Sequence, residues 1–213
     1  MPLKPISVEA PFQQWGLDFI GEIHPSSSSH HKWILAATNY FSKWIEAIPT
    51  QNANDSIIIL FLESNILSRF GCTNKIIIDN VATFKSKKMT KFCHDYHIVL
   101  GHSTTYYPQG NGLVESSNKI LVRIIKKLLE ENKKAWHTKL VHALWTDRVS
   151  TKKLIGTSPF ELVYGTNVVF PISLGVPVMR LLQDEEAEPN PVQRRINQLI
   201  QVQQKREEVF NHA

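Results

Sequence analysis

The order of its hydrophobic periods constrains this chain more than any other feature. Three apolar runs rich in β-branched and aromatic residues follow one another: residues 12–23 (FQQWGLDFIGEI), 32–40 (KWILAATNY) and 43–49 (KWIEAIP). Turn-forming and polar residues separate them, the pattern of an antiparallel meander. The period then changes. Residues 53–70 read as a helix, with Asn54 or Asp55 as its cap and Gly71 as its stop signal. Residues 74–79 (NKIIID) form a short β-branched run directly after it, as a parallel strand in an α/β layer does. Residues 85–96 suit an amphipathic helix with Met89, Phe92 and Cys93 inward, and residues 98–101 are a last short strand. This order leads to an α/β fold, a mixed five-stranded sheet with helices on both faces.

Residues 104–132 (TTYYPQGNGLVESSNKILVRIIKKLLEEN) divide into a glycine-containing loop and a helix. Val114, Leu121, Ile124, Ile125 and Leu128 recur at the steps of one helical face. Glu115, Lys119, Arg123 and Lys126 recur at steps of four, four and three on the other. Glu115 would then sit in the first turn, where a lone Glu often serves only to favour the helix dipole. Residues 135–151 read as a further helix with Trp136, Leu140, Ala143 and Leu144 as its apolar stripe, a core or a subunit interface. Residues 158–164 read as a short helix begun by Ser158-Pro159. Residues 167–182 look like a tether, 184–188 (DEEAE) are acidic, and 191–210 read as a helix with Val192, Ile196, Leu199 and Phe210 apolar, leading toward a further domain.

Chemistry enters with the carboxylates. Asp18 interrupts a run that is otherwise apolar on both faces, and a buried carboxylate needs a partner, hydrogen bonds or a metal. A satisfied structural Asp and a ligand or catalytic group are equally open readings of it. Asp79 ends the fourth strand, where α/β folds place ligands; alone, a turn or capping role suits it as well. Of the other metal-capable residues, His30 and His31 fall in a polar loop, and Cys93, His94 and His97 lack a second pair and read as packing and surface residues.

The 213 residues carry a formal net charge of +5 and a pI near 9.2, which leans toward a polyanionic partner. Two cysteines without metal spacing fit a reduced, intracellular protein, and no stretch of apolar residues is long enough to span a membrane or to form a signal-peptide core.

Three carboxylates thus stand out, with thirty-five residues between Asp79 and Glu115. With the stretches WGLDFIGEI, YFSKWIEAIP, RFGCTNKIIIDN, HSTTYYPQGNGLVESSNK, LVHALWTDRVS and GTSPFELVYG, the chain resembles the catalytic core of retroviral and LTR-retrotransposon integrases, those of gypsy-type plant elements in particular. The resemblance runs from about Trp15 to about Gly165. It implies an RNase H-like fold and a D,D-35-E triad of Asp18, Asp79 and Glu115. These would hold two divalent cations, Mg2+ or Mn2+, with Asp18 as the bridging ligand. It implies DNA contacts from Lys119, Tyr107, Gln109, Asn118, Arg123 and Lys126, with residues around Tyr107 and Gln109 in a mobile loop. The implied activity is 3′-end processing and strand transfer of retroelement DNA ends into chromosomal DNA, by a nuclear homo-oligomer. The alternative is a non-catalytic, domesticated or decaying retroelement fragment that binds DNA or self-associates. The expected organisation is a lead-in at 1–11, a core at 12–165, a linker at 166–190 and a C-terminal helix at 191–213.

Two departures bear on activity. The zinc-binding and DNA- or chromatin-binding modules that flank such cores are not in this sequence, and Val81 stands where the family has glycine after Asp79-Asn80. A β-branched residue is disfavoured at positive φ. If that turn requires positive φ, valine strains it by about 1–3 kcal/mol or displaces Asp79. Val81→Gly is therefore expected to raise metal-dependent activity on a branched DNA substrate, compared with the wild type at equal folded fraction. Equal rates would make Val81 harmless.

Overall fold

The structure, a computed structural model, describes residues 10–79, 82–102, 109–129, 132–166, 168 and 191–212. Strand β1 (Gln14–Ile20) lies at the centre of a five-stranded sheet of order β3-β2-β1-β4-β5. Strands β2 (Trp33–Asn39) and β3 (Ile45–Thr50) complete an antiparallel meander with it. Strands β4 (Lys75–Ile78) and β5 (Val99–His102) run parallel to β1 on its other side. The mixed sheet expected from the order of periods is the one observed. Pro49 is tolerated because β3 is an edge strand.

The β1 strand is shorter than its apolar run. Phe12 takes a left-handed backbone at φ 65°, and Gly21 leaves the strand at φ 143°. The β2–β3 turn is held by Asn39, whose Oδ1 accepts from the Ser42 backbone N–H and hydroxyl, both at 2.9 Å. Its Nδ2 donates to the Gln14 carbonyl at 3.1 Å, tying the turn to β1.

The alternation of a strand decides what each face carries. Trp15 and Leu17 of β1 join Leu35, Ala37, Ile76 and Ile78 on one side. Helix α1 (Asp55–Phe61), the π-helical Leu62–Leu67, the closing turn α2 (Ser68–Phe70) and α3 (Lys87–Asp95) cover that side. Asn54, one of the two expected caps, accepts from Ile57 N–H at 3.0 Å. Gly71 ends the segment at φ 83°. The hydroxyls of Ser64 and Ser68 bond the carbonyls four residues back, at 2.5 Å each, a competition that loosens α-helical pairing.

The other side, with Ile34, Ala36, Ile45 and Ala47, is covered by α4 (Gln109–Leu128) and α5 (Trp136–Val149). The predicted stripe of α5 is its buried one. On α4, Val114, Leu121 and Ile125 are buried. The helix begins at Gln109, so Gln109–Gly112 is helical rather than loop, and Glu115 falls in the second turn. Two glycines lower helix propensity by about 1 kcal/mol each. Tertiary packing of the next turn overrides that preference. A Cβ on Gly16 would lie 2.3 Å from Val114 Cγ2 and 3.0 Å from Tyr40 Cε2. The absent side chain therefore lets α4 press onto β1 at this turn.

Helix α6 (Pro159–Tyr164) begins as expected, with Ser158 Oγ accepting from Glu161 N–H and Pro159 in the first turn. Helix α7 (Pro191–His212) seats on it. Arg206 donates to the Leu162 and Val163 carbonyls at 3.3 Å, and Val202 occupies the space that a Cβ on Gly165 would fill. Leu199 and Phe210, two of the apolar residues read in this helix, are half exposed, and Val202 and Val209 are buried. The two valines are seven residues apart, two turns of one helix face, and Gly165 lies against Val202. The lead-in at 1–9, the tether at 167 and the stretch at 169–190, acidic segment included, lie outside the described residues.

Gly16→Ala is expected to lower stability by about 1–3 kcal/mol through overpacking, read from the urea midpoint. Adding Val114→Ala should recover part of the loss. An unchanged midpoint in the single variant would mean that α4 can shift freely on the sheet.

Candidate active site

Asp18 faces α4, because Gly16, two residues before it, takes the contact with Val114. It pairs across the sheet with Ala36, and the parallel register Leu17↔Ile78 brings it alongside Asp79, the residue that follows β4. Asp79 is half-buried. Glu115 approaches from α4, one residue past the Val114 contact, and is exposed. The three carboxylates named from the sequence thus reach one side of the sheet, from two adjacent strands and a helix packed across them.

The electrostatics of Asp18 differ from those of the buried acids Glu46 and Asp147. Glu46 is buried in β3 but meets Arg69 at 2.7 Å, Arg148 at 3.0 Å and the Trp44 indole N–H at 2.8 Å. Asp147 is buried in α5 and paired with Lys152. Asp18 has no cationic partner among the described residues. Burial pushes its pKa up to about 6, and the nearby charges of Asp79 and Glu115 push the same way, against hydrogen bonds from the Phe19 backbone and the Asn118 amide. A carboxylate in that setting is unfavourable as an anion unless a cation joins it.

Asn118 is the functional residue whose position the sequence did not convey. It was expected on DNA. Its Nδ2 donates to Asp18 Oδ2 at 2.8 Å, from the same helix turn as Glu115. Asn118 is 7 % exposed, and its Oδ1 is buried with no hydrogen-bond partner. A helical position three residues from Glu115 was the available signal, since i and i+3 share a face. Gly16 was also missed, because nothing local to a strand glycine says which helix crosses it.

A cleft of about 590 Å3 opens beside these groups. Asp18, Glu115 and Asn118 line it with Lys119, Arg123 and Lys126. The basic stripe predicted on α4 therefore continues directly from the carboxylates. Gln109 opens α4. Tyr107, Asn80 and Val81 lie outside the described residues.

The donor chemistry fits a hard divalent cation: carboxylate oxygens, an orphaned amide oxygen next to them, and no cationic partner for Asp18 among the described residues. Among the described residues no three His, Cys, Asp or Glu side chains form a ready-made ligand cluster. Asp18 has both other carboxylates close enough to feel their charge, and it links the set. Cys93 is buried and His94 is exposed, in keeping with their reading as packing and surface residues.

The chain is similar to known proteins. Residues 8–108 match the family described as integrase core domain, a span that includes Asp18 and Asp79 and stops before Glu115. The chain is 32% identical over 156 residues to the Gag-Pol polyprotein of avian reticuloendotheliosis virus, covering 73% of this chain and 13% of that one. It is 26% identical over 167 residues to the transposon Tf2-3 polyprotein of Schizosaccharomyces pombe, covering 76% of this chain and 12% of that one. The chain thus spans only about an eighth of the length of these relatives. Among solved structures, its fold is similar to a chain of the simian T-cell lymphotropic virus intasome in complex with PP2A regulatory subunit B56 gamma. The TM-score there is 0.64 at 21% identity, over 86% of this chain and 60% of that one. It is also similar to the HTLV-2 integrase catalytic core domain in complex with magnesium, in a trimeric form. That match has a TM-score of 0.55 at 25% identity, over 71% of this chain and 95% of that one.

The pH dependence follows from Asp18. Its folded pKa of about 6 lies above the ordinary 3.8, so the folded state holds more protons between these values. Stability should fall as pH rises through that window, and the ionised carboxylate should remain destabilising above it. In chelator-treated buffer, Asp18→Asn should be more stable than the wild type at pH 7 by about 1–2 kcal/mol, allowing for partial solvent screening. The gain should vanish below about pH 4, where the wild-type carboxyl is protonated in both states. Thermal melts across this range decide it; an Asn variant no more stable at pH 7 would contradict the assignment.

Proposed function

We propose that the chain carries a retroviral and LTR-retrotransposon integrase core domain and is the catalytic part of a metal-dependent polynucleotidyl transferase, a reading supported by the match of residues 8–108 to the integrase core domain family. It would trim retroelement DNA 3′ ends and join them to chromosomal DNA, in the nucleus. The observation that carries this reading is the half-buried Asp18, flanked by two like charges and opening on a cleft floored by basic side chains. Similarity to a fission-yeast transposon polyprotein and the GNGLVESSNK stretch support an LTR-retrotransposon origin of the gypsy type.

Asp18, Asp79 and Glu115 would hold two divalent cations, magnesium or manganese, which supply an activated attacking oxygen and neutralise charge on the leaving one. The chain's own residues do the rest. Asn118 Nδ2 holds Oδ2 of Asp18, so the carboxylate keeps one orientation. Lys119, one turn beyond Glu115 on the same face, reaches the phosphate next to the scissile one. Arg123 and Lys126 continue the grip along the strand, and Arg123 can take two phosphate oxygens at once. The reaction needs no covalent enzyme–DNA link: water attacks in end processing, and the trimmed 3′-hydroxyl attacks in joining. Self-association is expected too, in line with the trimeric form of the similar solved core.

The test is disintegration of a branched DNA substrate, which reverses joining and asks least of flanking modules. With Mg2+ the wild type should cleave it. Glu115→Gln should abolish turnover and leave DNA affinity largely intact. Lys119→Ala should weaken binding and flatten the log–log salt slope by about 0.9, one phosphate contact. Salt-dependent binding without any turnover in the wild type would favour the non-catalytic reading. An unchanged slope in Lys119→Ala would return that lysine to a solvated face.

A further inference from the structure

Val209 lies in the last turns of α7, between exposed Glu208 and Phe210, yet it is itself only 8 % exposed. It is buried in one cluster with Tyr40, Ile77, Val114 and Leu162. Two members of that cluster belong to the elements that carry the carboxylates. Val114 immediately precedes Glu115 on α4. Ile77 pairs with Gly16 in the parallel register of β1 and β4, and Asp79 and Asp18 stand two residues further along the same two stretches of chain. Alternate residues share a face, and two residues of a strand span about 7 Å. The cluster is therefore the row of side chains that adjoins the row of carboxylates.

Helix α7 is held on its way to this row. Val202 sits against Gly165, and Arg206 donates to the Leu162 and Val163 carbonyls. Val209 follows Val202 by seven residues, about 10 Å along the axis. The helix thus runs from the end of α6 to the sheet row beside the carboxylates. It lies beyond residues 8–108, the span that matches the integrase core domain family. We propose that Val209 is a positioning residue for the carboxylates. The proposal rests on the reading of Asp18, Asp79 and Glu115 as metal ligands. Val209 acts through its packing neighbours: its side chain holds the Val114 turn of α4 against Gly16 and Ile77, and so keeps Glu115 in place relative to Asp18 and Asp79. Interiors are close-packed, so a cavity at 209 gives that turn room to shift. A shift of about 1 Å in a catalytic constellation costs on the order of a hundredfold in rate. Lys119, Arg123 and Lys126 lie further along α4, so the grip on DNA is spared.

The experiment uses the full chain at equal folded fraction and reads Mn2+ binding by electron paramagnetic resonance. The part of that binding lost in Asp18→Asn counts as binding at the carboxylates. Val209→Ala should weaken it about tenfold, lower kcat for disintegration of branched DNA about tenfold and leave KM for the DNA within about twofold. Val209→Ile keeps the branched apolar body and should stay within about twofold of the wild type in all three. Ile58→Val opens a cavity on the opposite side of the sheet and should leave all three unchanged. Arg206→Ala loosens α7 without opening the cluster; it should weaken Mn2+ binding about threefold. It carries the test if Val209→Ala fails to fold. Mn2+ binding and kcat equal to the wild type in Val209→Ala, or in Arg206→Ala where that variant carries the test, would overturn the positioning role and leave the metal reading standing. So would a loss in Ile58→Val as large as that in Val209→Ala. Absence of any wild-type Mn2+ binding that Asp18→Asn removes would overturn both.

Discussion

The contact between Gly16 of β1 and Val114 of α4 is the constraint on which the site depends. A side chain at position 16 would collide with Val114 and with the Tyr40 ring, and α4 would have to move outward. With glycine there, the helix lies directly on the central strand. Glu115 and Asn118 then come within reach of Asp18, and the rest of α4 is aimed along the sheet. The same contact explains why the helix reaches back through two glycines. A turn whose neighbour is firmly packed can be extended at a cost of about 1 kcal/mol per glycine.

The second constraint is electrostatic. This fold compensates the acids it buries for structural reasons. Glu46 meets two arginines and an indole N–H, and Arg148 also stacks 4.4 Å from the Trp44 ring centroid. Asp147 meets Lys152. Asp18 is treated differently: the cations that line its cleft are on the exposed face of α4, and its nearest charges are other carboxylates. Removing a carboxylate from water without a counter-charge costs stability, so the arrangement makes physical sense only with something brought from outside. A polyanionic strand along α4 and cations at the carboxylates, as proposed, would compensate each other as well as the protein.

Much of this was legible in the chain. The meander, the parallel β4, the Asn54 and Ser158 caps, the buried stripe of α5 and the basic stripe of α4 follow from period, turn chemistry and capping, which are local. The start of α4 was misread because glycine propensity is also local, whereas the Val114 contact that outweighs it comes from a strand almost a hundred residues away. The face that α7 buries was not legible for a similar reason. Leu199 and Phe210 are the larger apolar residues, but the side chain that fits against Gly165 is Val202.

The sequence by itself determined which residues are chemically able to act: an Asp in an apolar strand, an Asp at a strand end, and a Glu at the head of a basic helix face. It determined their faces too, because periods of 2 and 3.6 are properties of a single element. Only the tertiary structure decided which groups meet. It placed the Asn118 amide on Asp18, left Asn118 Oδ1 buried and unpartnered, and brought Val209 of α7 into the cluster that holds Val114. Such pairings depend on how closely two elements approach, and that distance is set by the side chain that glycine lacks.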